Sequence, residues 1–218
     1  FTVVFGNFAS IPTDGLPPFI FYLAGTVVWS YFADCINKTA TTFVSNAHLF
    51  GKVYFPRLAV PVSILISNLI AFSIQFALFL AFLIYFWLTG APVQPNGWVL
   101  LTPGLILVMA GLGLGFGVIV SALTTRYRDL RFLVSFGVSL WMYATPVIYP
   151  ISSIPERYRP IILANPLTPI VETFRYAFLG AGGVSPGGLL YAVGFMLVVL
   201  IVGVMLFNHV EATFMDTV

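Results

Sequence analysis

Charge in this chain is scarce, and it gathers in three places. Lys38 is followed by Lys52 and Arg57 in "LFGKVYFPR". The stretch "TTRYRDLRFL", residues 124–133, brings Arg126, Arg128, Asp129 and Arg131 close together. Glu156, Arg157, Arg159, Glu172 and Arg175 share a proline-rich stretch further on. Arginine's planar fork recognises carboxylates and other anions, so "RYRDLR" fits an ordered docking turn; the plainer alternative is that its arginines anchor lipid headgroups. Glu172 and Arg175 stand three apart, on one face of a helix, and can pair there. Catalytic patterns are missing. "LFGKVYF" has Gly-Lys but neither the earlier glycine nor the following hydroxyl of a phosphate loop. There is no His-Glu-x-x-His and no Gly-x-Ser-x-Gly. Cys35 is the single cysteine, which rules out an internal disulfide and a cysteine metal site. His48 and His209 stand apart from any acidic cluster, so no metal site is expected. "NKT" at 37–39 is a chance match to a glycosylation acceptor.

The elements that position these charges must lie mostly in lipid. Hydrophobic residues make up 60% of the chain and charged ones 7%, with a mean hydropathy of +1.03. Soluble domains run at roughly 45–50% apolar and about 25% charged. The chain is therefore expected to be an all-α polytopic membrane protein. Its net charge of +2, without a basic stripe, gives no support for nucleic-acid binding.

A span needs about 20 mostly apolar residues. Residues 1–8 read as the end of a first span whose beginning is missing, together with the true N-terminus. Span two covers 16–34, with Pro17 and Pro18 suited to a helix start. A polar connection, 35–57, leads to span three at 58–88. Span four covers 98–123, a short connection 124–131, span five 132–149 and span six 188–207, with a tail at 208–218. In span four Gly111 and Gly115, and again Gly113 and Gly117, are four apart; small residues at that spacing let helix backbones approach. Ser67, Asn68 and Gln75 are expected to make hydrogen bonds between helices rather than an ion path.

Residues 150–187 are too apolar for an ordinary loop and too broken for a span. Pro155, Pro160, Pro166 and Pro169 interrupt them, and a charge such as Arg175 at the centre of a lipid-facing helix would cost about 2.5–3.5 kcal/mol. Two short helices that enter the membrane and return fit better, sheltered by protein or a water-filled cavity. Lysine and arginine place the 35–57 and 124–131 connections in the cytoplasm. The 150–187 segment then lies outside, and the tail inside.

At this point the order of segments resembles a family. "ATPVIYPISSIPERYRPIILANPLTPIVETFRYAFLG", Ala144 to Gly180, resembles the last third of the permease subunits of bacterial polysaccharide-exporting ABC transporters, which move O-antigen, capsule or teichoic-acid chains. "LFGKVYFPRLAVPVS" and "TTRYRDLRFLV" resemble the family's two cytoplasmic connections. The resemblance implies a homodimer of six-span subunits in the bacterial cytoplasmic (inner) membrane, C-terminus inside, served by two cytoplasmic ATPase subunits that carry the ATP and Mg. This chain would then be a permease with no catalytic site and no cofactor of its own. It also implies ATPase-coupling roles for Leu49, Phe50, Lys52, Tyr54, Arg57, Arg126, Tyr127, Arg128, Asp129 and Arg131. An external gate of two re-entrant helices would involve Pro155, Glu156, Arg157, Asn165, Pro166, Glu172 and Arg175.

A lipid-linked glycan has apolar ring faces that stack on aromatics, and Trp29, Tyr31, Tyr143, Tyr149 and Tyr176 are candidates for its path; the alternative is an interfacial belt. Competing functions are export of a drug, lipid or small glycolipid by the same architecture, an ion-coupled transporter or channel, and a membrane-embedded transferase. The shortage of ionisable residues in the spans argues against ion coupling. No acidic or histidine constellation supports a transferase.

Overall fold

A computed structural model of the chain describes residues 12–45, 58–124 and 129–215, together with Thr2 and Phe5. Every regular element described is helical. Helix α1 (Pro18–Thr39) opens on prolines, whose missing N–H is not needed in a first turn. A single turn, α2 (Thr42–Ser45), follows. Helix α3 (Ala59–Leu88) ends where Gly90 takes a positive φ of 78°. A 3-10 turn (Gly97–Leu101) feeds α4 (Thr102–Thr124). Then come α5 (Leu130–Tyr143), α6 (Arg159–Leu163), α7 (Thr168–Leu179) and α8 (Pro186–Met215).

Among the described residues four helices are long and apolar enough to cross a membrane: α1, α3, α8, and α4 with its leading turn. α1 and α4 are largely enclosed by the rest of the chain, whereas α3 and α8 leave most of their surface uncovered by it. Helices apolar on all sides take their packing from shape rather than from an amphipathic stripe.

The glycines of α4 supply that shape. A Cβ on Gly113 would meet Cys35 Cβ at 2.5 Å, and one on Gly117 would meet Thr39 Cβ at 2.6 Å, so this face lies against α1. Gly111 abuts Met196, and Gly115 abuts Val199 and Leu200, so the opposite face lies against α8. Residue numbers rise together along both contacts. Helices α1, α4 and α8 therefore run parallel. α3 runs the other way, with Phe82 beside Phe19, Phe72 beside Tyr31, and Asn68 beside Lys38. Asn68 accepts from Lys38 Nζ at 2.7 Å, and its amide donates to Cys35 Sγ at 3.7 Å.

Three boundaries differ from the sequence reading. α1 continues through 35–39, where a polar connection was expected, because nothing there breaks a helix. Lys38 sits in its last turn, next to the negative end of the helix dipole, and pairs with Asp34 at 3.3 Å. α8 runs beyond the expected 207 to Met215, with neither Pro nor Gly after Gly203 to stop it. The expected span over 132–149 is helical only to Tyr143. Pro146 cannot donate to a helix, and it disfavours helical geometry at Thr145. At about 1.5 Å per residue, α5 is shorter than the roughly 30 Å hydrocarbon core. Residues 145–148 carry the chain on as irregular backbone, buried in protein.

Candidate functional site

A helix that stops inside the bundle leaves its last carbonyls without partners. Side chains from later in the sequence take up those at the end of α5. Thr145 Oγ1 donates to the Trp141 carbonyl at 2.9 Å, and the Tyr149 hydroxyl donates to the Tyr143 carbonyl at 2.9 Å. Asn165 Nδ2 donates to the Ala144 carbonyl at 3.2 Å and to Thr145 Oγ1 at 2.8 Å. Arg175 Nη2 reaches the carbonyls of Pro146, at 2.9 Å, and Val147, at 3.0 Å.

Arg175 is 1% exposed. Its Nη1 donates to Glu172 Oε1 at 3.0 Å, and its guanidinium lies 3.9 Å from the centre of the Phe21 ring. A buried guanidinium is tolerable only when its charge and most of its donors are matched; here Nη1 and Nη2 are, and Nε has no partner among the described residues. One side chain thus ties α7 to the irregular end of α5 and to α1.

The far end of α7 is held from the α3–α4 connection. Gln94 N donates to the Leu179 carbonyl, Asn96 N to that of Ala177, and Asn96 Nδ2 to that of Tyr176. Gly180, at φ 78°, closes the helix.

Beside this knot lies a cavity of about 820 Å³, at the end of the bundle where α1, α4 and α8 begin. Its walls include Asp14, Gln94, Ser152, Thr168, Glu172 and Ser185. Ser152 Oγ donates to Asp14 Oδ1 at 2.6 Å.

A family model described as "ABC-2 type transporter" matches residues 1–179. The chain belongs to the ABC-2 type transporter family. It is 30% identical to the O-antigen export system permease protein RfbA of Klebsiella pneumoniae, over 90% of this chain and 74% of that one. It is also 30% identical to the protein of the same name from Myxococcus xanthus, over 78% of this chain and 65% of that one. The polysialic acid transport protein KpsM of Escherichia coli is 25% identical, over 88% of this chain and 73% of the relative. This ABC-2 chain is thus a multi-pass membrane protein and a permease. Among the described residues no group of His, Cys, Asp and Glu could hold a metal ion.

The residues expected to act at the gate separate into two groups. Asn165, Glu172 and Arg175 meet at the end of α5, with Pro166 buried beside them. Pro155, Glu156 and Arg157 are exposed on the turn before α6. Of the expected ATPase-coupling residues, Leu49, Phe50, Lys52, Tyr54, Arg57, Arg126, Tyr127 and Arg128 lie outside the described residues. Asp129 precedes α5, and Arg131, in its first turn, stacks over Phe132.

Of the aromatic candidates, Tyr143 and Tyr149 are joined by the hydrogen bond from the Tyr149 hydroxyl to the Tyr143 carbonyl. Trp29 and Tyr31 are buried within this chain, against Phe32 and Phe72. Tyr143 is exposed, and Tyr149 and Tyr176 are half-buried.

Sequence reasoning missed Phe21, Gly25, Gln94, Asn96 and the carbonyls of Pro146 and Val147. Gly25, inside "YLAGTVV", carried a signal: a lone glycine within an apolar helix marks a close approach. A Cβ there would stand 2.6 Å from the Val147 carbonyl oxygen and 3.2 Å from Arg175 Nη2. Gly25→Ala is therefore expected to destabilise the detergent-solubilised protein by about 1–3 kcal/mol, whereas Gly137→Ala, where the added carbon meets nothing within 4 Å, should not. Thermal unfolding of the two variants checks this; equal midpoints would remove the close approach at Gly25.

Proposed function

We propose that this chain is the membrane-spanning subunit of an ATP-driven exporter that carries a lipid-linked polysaccharide, of O-antigen, capsule or teichoic-acid type, across the bacterial cytoplasmic membrane. The observation that carries the reading is the likeness, over 90% of the chain, to a permease named for O-antigen export. In this reading two copies, each of six spans with residues 1–8 closing the first, pair with two cytoplasmic ATPase subunits. The substrate path lies between the copies. Residues 49–57 and 126–131 are the turns on which ATPase closure acts. Residues 150–187 form the external gate, and the tail is cytoplasmic.

The run of the helices supports this topology. Because α8 is parallel to α4, the start of α8 lies at the end of the bundle away from Lys38 and Thr124. Basic residues favour the cytoplasm, so the cavity and α7 belong to the outer half.

Affinity purification of the tagged full-length protein tests the reading. An ATPase subunit is expected to co-purify from wild-type membranes. Reversal of Arg126 and Arg128 to glutamate should abolish that association, and glycan export with it, while membrane insertion is unchanged. Normal export by the reversed variant would return these arginines to headgroup anchors. A folded wild-type dimer that captures no ATPase would remove the exporter reading itself.

A further inference from the structure

We propose that the outer cavity is a binding subsite for neutral sugar units, selecting against anionic ones. The inference rests on the export reading for its biological substrate, but the chemistry comes from the walls. At about 820 Å³ the cavity falls in the range of ligand sites, roughly 300–1,000 Å³. It is a cleft between the α7–α8 connection, the residues before α1, and the 151–152 turn.

Its polar groups chiefly accept hydrogen bonds. Glu172 is 7% exposed, and its Oε1 is taken by Arg175. Its Oε2 lies at the cavity wall beside Gly182, where an added Cβ would stand 2.8 Å away. That oxygen accepts no hydrogen bond among the described residues. On a residue that is otherwise buried, a carboxylate oxygen open to the cavity and without a protein donor is free to accept one from a ligand.

Asp14 supplies a second carboxylate. Ser152 has spent its proton on Asp14, and Thr168 has spent its own on the Ile162 carbonyl. The Ser152 hydroxyl therefore faces a ligand as an acceptor, while Thr168 is fully buried in the wall. Among the described lining side chains, Gln94 and Ser185 offer donors. The described lining residues include no Lys, Arg or His, so a phosphate or carboxylate entering here would meet two carboxylates and no cation among them. A sugar's hydroxyls each donate a hydrogen bond, and its ring faces suit the apolar remainder of the wall, which includes Leu16, Leu163, Pro169 and Leu179.

The test uses the full-length permease with its ATPase in nanodiscs, and saturation-transfer NMR with maltotriose and trigalacturonate as probes. Transfer to maltotriose is expected to exceed transfer to trigalacturonate by about tenfold, the equivalent of about 1.4 kcal/mol. Gly183→Phe fills the cavity from a position where an added carbon meets nothing within 4 Å, and should remove the maltotriose signal. Equal transfer to the two sugars, or an unchanged signal in Gly183→Phe, overturns the proposal. Displacement of maltotriose by millimolar magnesium chloride would make this a cation site instead, and also overturns it. Glycan export by the same complex is scored separately. A complex that binds maltotriose in the cavity but exports no glycan loses the export reading and keeps the subsite. One that exports normally as Gly183→Phe, with no maltotriose signal in either form, loses the subsite and keeps the export reading.

Discussion

Arg175→Met is expected to destabilise the folded protein by about 3–5 kcal/mol, the usual consequence of removing one partner from a buried ion pair. Three groups lose their match at once. Glu172 keeps a buried carboxylate without a counter-charge, and the carbonyls of Pro146 and Val147 lose their donor. Arg175→Lys should recover only part of the loss, because an ammonium cannot serve the carboxylate and two carbonyls with a planar fork. The double variant Glu172→Gln, Arg175→Met should be more stable than Arg175→Met alone, since it removes the stranded charge. Thermal unfolding in detergent, with the folded fraction scored by size-exclusion chromatography, checks the series. A wild-type midpoint for Arg175→Met would mean that the end of α5 is held by something other than this side chain.

Gly115→Leu carries the second large effect. A Cβ there would stand 2.8 Å from Val199 Cγ1, 3.0 Å from the Val199 carbonyl carbon and 3.1 Å from Leu200 N. Two of those three atoms are backbone, so no rotamer change relieves the clash and α8 must move away from α4. Overpacking commonly costs about 1–3 kcal/mol and sometimes more. Here the upper end is expected, because Gly203 also approaches the Gly115 carbonyl oxygen, at 2.8 Å from its added Cβ. Gly194→Leu is the matched control: it lies on α8 with nothing within 4 Å of the added carbon, and a leucine there raises helix propensity. Cysteines placed at positions 118 and 207, neighbours in one apolar cluster, report the helix spacing by cross-linking. Efficient cross-linking in Gly115→Leu would contradict the contact.

The long spans were legible because apolar runs of this length have few other uses. The glycine pairs were legible as packing positions, but the sequence could not say that one pair faces α1 and the other α8. The break after Tyr143 was hidden for a specific reason: "ATPVIYP" stays apolar, so hydropathy continues where backbone geometry fails. Pro146 was the signal for that break. Glu172 and Arg175 were readable as a pair from their spacing. The carbonyls that Arg175 serves were not, since backbone acceptors leave no mark in a side-chain pattern. The cavity escaped for a different reason: Asp14, Gln94, Ser152 and Ser185 come from four separate connections and meet only through the fold.

The buried guanidinium also bears on biogenesis. Synthesis proceeds from the N-terminus, so Phe21, Gly25 and the carbonyls of Pro146 and Val147 are made before Arg175. The groups that receive Arg175 are therefore synthesised ahead of it, and its partner Glu172 comes with it on the same turn of α7. Released sideways into lipid, α7 would carry a desolvated ion pair with guanidinium donors left over; delivered onto the finished pocket, Nη2 finds the carbonyls of Pro146 and Val147. The order of synthesis thus makes α7 the latch of the subunit, closed late, with α8 following to cover the seam against α4.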